Sequence, residues 1–207
     1  MHALSDGRLY AILDLAYVKA ADAGGVVAKM LEGGVDLIQL RAKGNSLEAI
    51  VDLAAGLHPV TSQASTPLIV NDHAVVAAKV EVEGIHVGQD DDSIDLARKK
   101  AGRPIIVGKS THTVEQAINA QHEGADYIGF GPIFATPTKP DYSPIGLDDI
   151  KRVHGEVSLP IFCIGGINID NLQQVIDAGA NRVVMVSALL RAHNIVDYAR
   201  CATDMLA

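Results

Sequence analysis

Eight short apolar runs punctuate the chain, and they leave few folds open to it. They cover residues 9–13, 37–40, 68–70, 84–87, 105–107, 127–130, 161–164 and 183–186. The runs are apolar on both faces and rich in β-branched residues, as strands are when helices cover both sides of a parallel sheet. Between them lie stretches such as 46–57 and 114–122, with apolar residues at helical spacing. Strand and helix alternating eight times predict a (β/α)8 TIM barrel, an α/β fold. A chain of 207 residues allows roughly 26 per unit, compact but sufficient for that fold.

The punctuation agrees. Pro67, Pro104 and Pro160 stand where strands begin, and proline is tolerated there because no ladder bond is lost. Another signal recurs before other strands: Gly34-Val35-Asp36, Gly124-Ala125-Asp126 and Gly179-Ala180-Asn181. The glycine suits the left-handed residue that ends a helix. No Pro/Gly/Ser-rich linker divides the chain, so residues 1–207 are expected to form one domain. The rival is an open doubly wound sheet, whose first βα turn should carry a glycine-rich dinucleotide fingerprint. That turn here reads Asp14-Leu15-Ala16-Tyr17, without one.

Charge and composition exclude further classes. Lys and Arg number 17 against 25 Asp and Glu, a net charge of −8 with His neutral, and there are five Tyr, three Phe and no Trp. An acidic chain with so few stacking rings is not expected to bind nucleic acid, which needs a basic footprint. No apolar run approaches the ~18 residues of a spanning helix, so no membrane partner is expected. The N-terminus lacks the layout of a signal peptide. Cys163 and Cys201 lie far apart and lack metal-ligand spacing, so no disulfide framework is expected and the cytoplasm is the default location. A homo-oligomer is compatible with all of this.

In a barrel the active site lies at the C-terminal ends of the strands. The second strand ends Gln39-Leu40-Arg41-Ala42-Lys43; alternation puts Gln39, Arg41 and Lys43 on one side, where a fork and a point charge suit a phosphate or diphosphate. The third ends Asn71-Asp72 and the fourth runs His86-Val87-Gly88-Gln89-Asp90-Asp91. Asp72 could cap a following helix, and acids before a helix are ordinary first-turn enrichment. Acidic ends on neighbouring strands could equally share one Mg²⁺, which takes one or two carboxylates and leaves room for a substrate phosphate. After the fifth strand, Ser110 could cap a helix or donate to a phosphate, and His112 invites a general-base reading, although a histidine near a helix start is more often structural. The sixth strand leads into a long loop, residues 129–140, carrying Thr136, Thr138 and Lys139. Gly165-Gly166 after the seventh strand and Val186-Ser187 after the eighth match the usual barrel phosphate site. Together these suggest two anionic substrates, one bringing a diphosphate–Mg²⁺ complex.

In their order, these motifs resemble the thiamine phosphate synthase family from about residue 9 to residue 190. The resemblance rests on Gln39-x-Arg41-x-Lys43, Asn71-Asp72, Gly84-Ile85-His86-Val87-Gly88-Gln89-x-Asp91, Gly108-x-Ser110-x-His112, Gly129-x-Gly131-Pro132-Ile133-Phe134-x-Thr136-x-Thr138-Lys139, Ile164-Gly165-Gly166-Ile167 and Val186-Ser187-Ala188. That family joins 4-amino-2-methyl-5-(diphosphooxymethyl)pyrimidine to 4-methyl-5-(2-phosphooxyethyl)thiazole, giving thiamine phosphate and diphosphate. The resemblance implies that Gln39, Arg41, Lys43, Asn71, Ser110 and Lys139 hold the pyrimidine diphosphate, with Arg41, Lys43, Ser110 and Lys139 assisting its departure. It implies Mg²⁺ at Asp72 and Asp91, and the thiazole phosphate at Thr136, Thr138, Gly166, Val186 and Ser187. The implied mechanism is dissociative, through a resonance-stabilised pyrimidinylmethyl cation. His86 is a candidate wall for the pyrimidine. The first strand departs from the family in ending Leu13-Asp14-Leu15. A thiazole tautomerase of the same fold, a non-catalytic phosphate-binding barrel and an interaction scaffold are the alternatives; the tautomerase would be expected to lack much of the diphosphate–Mg²⁺ set.

Overall fold

A computed structural model describes residue 4, residues 6–136, residue 138 and residues 143–207. Eight parallel strands close into a barrel in chain order: β1 (Leu9–Asp14), β2 (Leu37–Arg41), β3 (Leu68–Asn71), β4 (Gly84–Val87), β5 (Ile106–Thr111), β6 (Tyr127–Phe130), β7 (Ile161–Cys163) and β8 (Val183–Met185). The helices are α1 (Ala23–Glu32), α2 (Leu47–Gln63), α3 (Ile94–Ala101), α4 (Val114–His122), α5 (Ile150–Glu156), α6 (Ile169–Asp177), the short α7 (Ser187–Leu190) and α8 (Ile195–Leu206). The third unit has only a 3-10 helix, Ala74–Ala78.

Period-2 alternation sorts each strand's side chains into two cores. Leu9, Ala11 and Leu13 of β1 join Ile38, Leu40, Val70, Ile85 and Val107 in the layer between barrel and helices. Tyr10 and Ile12 turn inward with Leu37, Ile69, Tyr127, Phe162 and Val184. The inner aromatic rings meet edge to face, with centroids 5.4 Å apart for Tyr10–Phe162, 5.7 Å for Tyr127–Phe162 and 5.9 Å for Tyr10–Tyr127. Such pairs add about 0.5–1.5 kcal/mol each beyond their area. They floor the barrel and leave its C-terminal mouth open.

Local punctuation is as expected at the glycines. Gly34, Gly124 and Gly179 have φ of +87°, +84° and +106°, the left-handed region that glycine enters without penalty. The acids that follow two of them tie strands together. Asp36 accepts from Leu9 N and Asp126 from Val107 N, each on the preceding strand. Two helix starts differ from expectation. Asp72 does not cap the 3-10 turn, where His73 takes the cap position without a side-chain bond; Asp72 itself has φ +63°. Ser110 does not cap α4, since the Thr113 side chain accepts from Gln116 N. The cause is β5, which runs past its apolar stretch to Thr111 and pairs Ser110 with Gly129. Polar residues that face a cavity sit in a strand as readily as apolar ones. α2 likewise continues through Pro59 to Gln63, where Thr61 is buried.

Candidate active site at the barrel mouth

A cavity of about 400 Å³ opens at the C-terminal ends of the strands, where a barrel's loops converge. Of the positions singled out from sequence, Gln39, Arg41, Asn71, His86, Ser110, Thr136, Thr138, Gly166, Val186 and Ser187 line it. Lys43, Asp72 and Asp91 group beside it, just beyond Asn71. Lys139 lies outside the described residues.

The side of β1 to β5 is made of side chains. Arg41 Nη1 donates to Asp14 Oδ2 at 2.5 Å. Asp14 is 1% exposed and also accepts from Ala16 N at 2.9 Å, so the guanidinium is held in place by a buried carboxylate. Breaking such a pair typically costs about 3–5 kcal/mol. Asn71 Nδ2 is buried and has no hydrogen-bond partner among the described residues. A buried amide donor left unmade is costly, and at a cavity wall it is a donor in wait for a ligand. Gln89 Nε2 donates to Ser110 O at 2.5 Å, joining the exit of β4 to β5.

Beside them, Lys43 Nζ lies 3.4 Å from Asp72 Oδ2. Burial pushes the Asp72 carboxyl above the usual carboxylate range, Asp91's hydrogen bond and charge push it further, and Lys43 opposes both. Asp91 accepts from Gly88 N at 2.7 Å. Of the neighbouring acids, Asp92 pairs with Lys100 at 2.7 Å, and the helix that follows is capped by Ser93. Two mutually repelling carboxylates that keep hard oxygen donors together fit Mg²⁺. Among the described residues no cluster of three or more His, Cys, Asp or Glu is placed to hold a metal, and Mg²⁺ does not need one.

The side of β6 to β8 is made of backbone. Gly165 and Gly166 have φ of +106° and +65°. A Cβ on Gly166 would lie 2.5 Å from Ala135 O, and one on Gly165 would lie 2.4 Å from Pro132 Cβ. The glycines therefore let the loop after β6 press on the exit of β7. Asn168 caps α6 in a reciprocal capping box with Asn171, and Asn171 Nδ2 donates to Gly166 O at 2.9 Å. The α7 turn begins at Ser187, just past β8. First-turn amides have no carbonyl to bond within their helix, so this end of the cavity presents mainly backbone donors.

Several lining residues escaped the sequence reading. Tyr10 lines the cavity, and Asp14 anchors Arg41; alternation from Leu9 would have put both on the inner face. Arg191 lines the cavity, and its guanidinium lies 5.4 Å over the ring of Tyr17, whose hydroxyl is 3.2 Å from Thr138 Oγ1. Nothing in the local sequence marks Arg191, because its role depends on the turn of α7 beneath it. His112, by contrast, was singled out from sequence; it lines the cavity, and its Nδ1 donates to Gly131 O at 2.5 Å, which ties β5 to the exit of β6.

Comparisons with known proteins agree with this geometry. A family model described as thiamine monophosphate synthase matches residues 9–189. A thiamine-phosphate synthase of Chloroflexus aurantiacus is 41% identical over 196 residues, covering 94% of this chain and 90% of the relative. One of Halalkalibacterium halodurans is 42% identical over 193 residues, covering 93% and 92%. The solved thiamine phosphate pyrophosphorylase of Pyrococcus furiosus superimposes with a TM-score of 0.87 at 29% identity, covering 96% of this chain and 95% of that one. A solved 3-hexulose-6-phosphate synthase shares the fold alone, at a TM-score of 0.69 and 16% identity. The chain with this two-sided cavity belongs to the thiamine monophosphate synthase family.

Proposed function

We propose that the protein couples 4-amino-2-methyl-5-(diphosphooxymethyl)pyrimidine with 4-methyl-5-(2-phosphooxyethyl)thiazole, releasing thiamine phosphate and diphosphate, and that the two sides of the cavity divide the substrates. The observation that carries this reading is that a side-chain-rich cationic wall and a glycine-and-amide wall face one cavity of about 400 Å³. That arrangement suits two anions held at once.

Gln39, Arg41, Lys43, Asn71, Ser110 and Lys139 take the diphosphate side. Arg41, fixed by Asp14, offers a fork in a set orientation, and the orphan amide of Asn71 offers a donor. Asp72 and Asp91 would hold Mg²⁺, which supplies charge neutralisation to the diphosphate. Thr136, Thr138, Gly166, Val186 and Ser187 take the thiazole phosphate, with Arg191 as its cation. The bond from the pyrimidine methylene carbon to the diphosphate oxygen breaks with its electron pair on oxygen. The ring nitrogen of the thiazole then supplies the pair for the new carbon–nitrogen bond. No proton need move, so the residues position and stabilise charge, as preorganised sites do. His86, buried on the cavity floor, stands as the pyrimidine's wall. Among the described residues no helix is long and apolar enough to cross a membrane.

The test is to offer each half alone and then both with Mg²⁺. The reading expects turnover only with both. Conversion of the thiazole carboxylate tautomer alone would favour the tautomerase instead.

A further inference from the structure

A single unbroken hydrogen-bond chain crosses the cavity floor through β2, β1, β6, β4 and β5. Gln39 Nε2 donates to Tyr10 OH at 2.6 Å. The Tyr10 and Tyr127 hydroxyls are 2.9 Å apart. Tyr127 OH is 3.0 Å from His86 Nδ1, and His86 Nε2 is 2.9 Å from Ser110 Oγ. Tyr10, Gln39 and Tyr127 are 1%, 2% and 0% exposed, so water does not compete for these bonds. The sequence makes room for the Tyr127 ring. A Cβ on Gly108 would lie 2.1 Å from Tyr127 Cζ.

Counting protons gives the chain a direction. A phenol has one proton to donate, and a neutral imidazole has one donor and one acceptor nitrogen. The Tyr10 hydroxyl accepts from Gln39, so its own proton goes to Tyr127. The Tyr127 proton then goes to His86 Nδ1. That nitrogen is an acceptor, so the ring carries its proton on Nε2 and donates it to Ser110 Oγ. Ser110 has accepted, and its own proton is free for a third party. Burial holds both phenols well above the usual tyrosine range, which keeps a proton on each. With the Gln39 amide turned over, every bond would reverse. Ser110 would then spend its proton on His86 and face an anion with lone pairs only.

We propose that Gln39, Tyr10 and Tyr127 form a polarised relay that holds His86 as the Nε2–H tautomer and reserves the Ser110 hydroxyl proton for an acceptor oxygen of the pyrimidine diphosphate. The proposal rests on the functional reading above for its substrate, but its polarity does not. Tyr10 and Tyr127 act through His86 and Ser110 and are positioning residues for the reaction.

The polarity is read by nitrogen NMR of the full-length protein labelled with 15N-histidine, without substrate. His86 is assigned by the signals lost in His86→Asn. The expected result is a protonated Nε2 and a bare Nδ1; any other protonation state overturns the proposal. Its consequence is read by a double-mutant cycle with both substrates and Mg²⁺. Tyr127→Phe should lower kcat by about tenfold to a hundredfold, the range of a hydrogen bond to a charged group, with the KM for thiazole phosphate unchanged. In a Ser110→Ala background the same substitution should cost less than about twofold, the scatter of non-interacting sites. Equal losses in both backgrounds overturn the relay, since a structural role for Tyr127 would not depend on Ser110. If Tyr127→Phe does not fold, Tyr10→Phe enters the same cycle. A wild type with the expected tautomer but no coupling activity breaks the functional reading and leaves the polarity standing.

Discussion

The wall built by β1 to β5 and the wall built by β6 to β8 solve anion binding in different materials. The first uses long side chains and fixes them from below: Asp14 holds Arg41, and Tyr127 and Ser110 hold His86. The second uses the main chain, with Gly165 and Gly166 in left-handed conformations and Asn168 closing the start of α6. Side-chain groups can be deleted with the backbone left in place. Backbone donors cannot be deleted, and are disturbed only by adding atoms where there is no space. The first wall is therefore open to loss of chemistry with its backbone in place, Arg41 alone also costing stability because its removal leaves Asp14 buried and unpaired, whereas the second is expected to lose both together.

Substitutions can break or sharpen that contrast. The largest effect is expected at Arg41. Arg41→Ala should slow departure of the diphosphate by about 10²–10³-fold, the cost of removing one preorganised charge-stabilising donor. Unchanged single-turnover chemistry would remove Arg41 from that role. The acidic pair comes next and is read without turnover. Mg²⁺ at a hundred times its Kd should stabilise the wild type by about 2.7 kcal/mol, seen as a rise in melting temperature. Asp72→Asn and Asp91→Asn should fold normally and show no such rise, and full activity in EDTA would sink the metal assignment.

On the other wall, Gly166→Ala has both strain and a clash, since φ is +65° and the new Cβ would lie 2.5 Å from Ala135 O. A strained residue of this kind costs about 1–3 kcal/mol. Thermal unfolding should show that loss, with a raised KM for the thiazole phosphate and an unchanged KM for the pyrimidine diphosphate. A variant of full stability and weak thiazole binding would break the expected coupling of fold and function there. The smallest effect is at Arg191. Arg191 is an exposed cation, and exposed charge pairs contribute about 0.2–1 kcal/mol, so Arg191→Gln should weaken thiazole phosphate binding several-fold at most in calorimetry and leave the first wall untouched.

The same contrast explains what could be read from the sequence. The barrel was legible because each strand is an apolar run and the helix-ending glycines repeat. Gln39, Arg41, Asp72 and Asp91 were legible by residue type at strand ends. Gly166 and Ser187 were legible because tight backbone needs glycine and a helix start favours a hydroxyl. The floor was harder. Tyr10 and Tyr127 read as ordinary core aromatics, and only the register that sets Gly108 opposite both His86 and Tyr127 brings them into one chain. The boundaries of β5 were lost for a related reason: Ser110 faces the cavity and the buried Thr111 hydroxyl donates to Gly129 O, so hydrophobic periodicity stopped short of the strand's end. Arg191 needed the turn after β8, which no local pattern marks.

The central claim is that one cavity holds both anions and joins them. Phosphorus NMR of the purified protein with both half-substrates and Mg²⁺ tests it directly. The account predicts thiamine phosphate and diphosphate appearing in equal amounts as both substrates disappear. Diphosphate released without thiamine phosphate, or no change in either substrate, would contradict it.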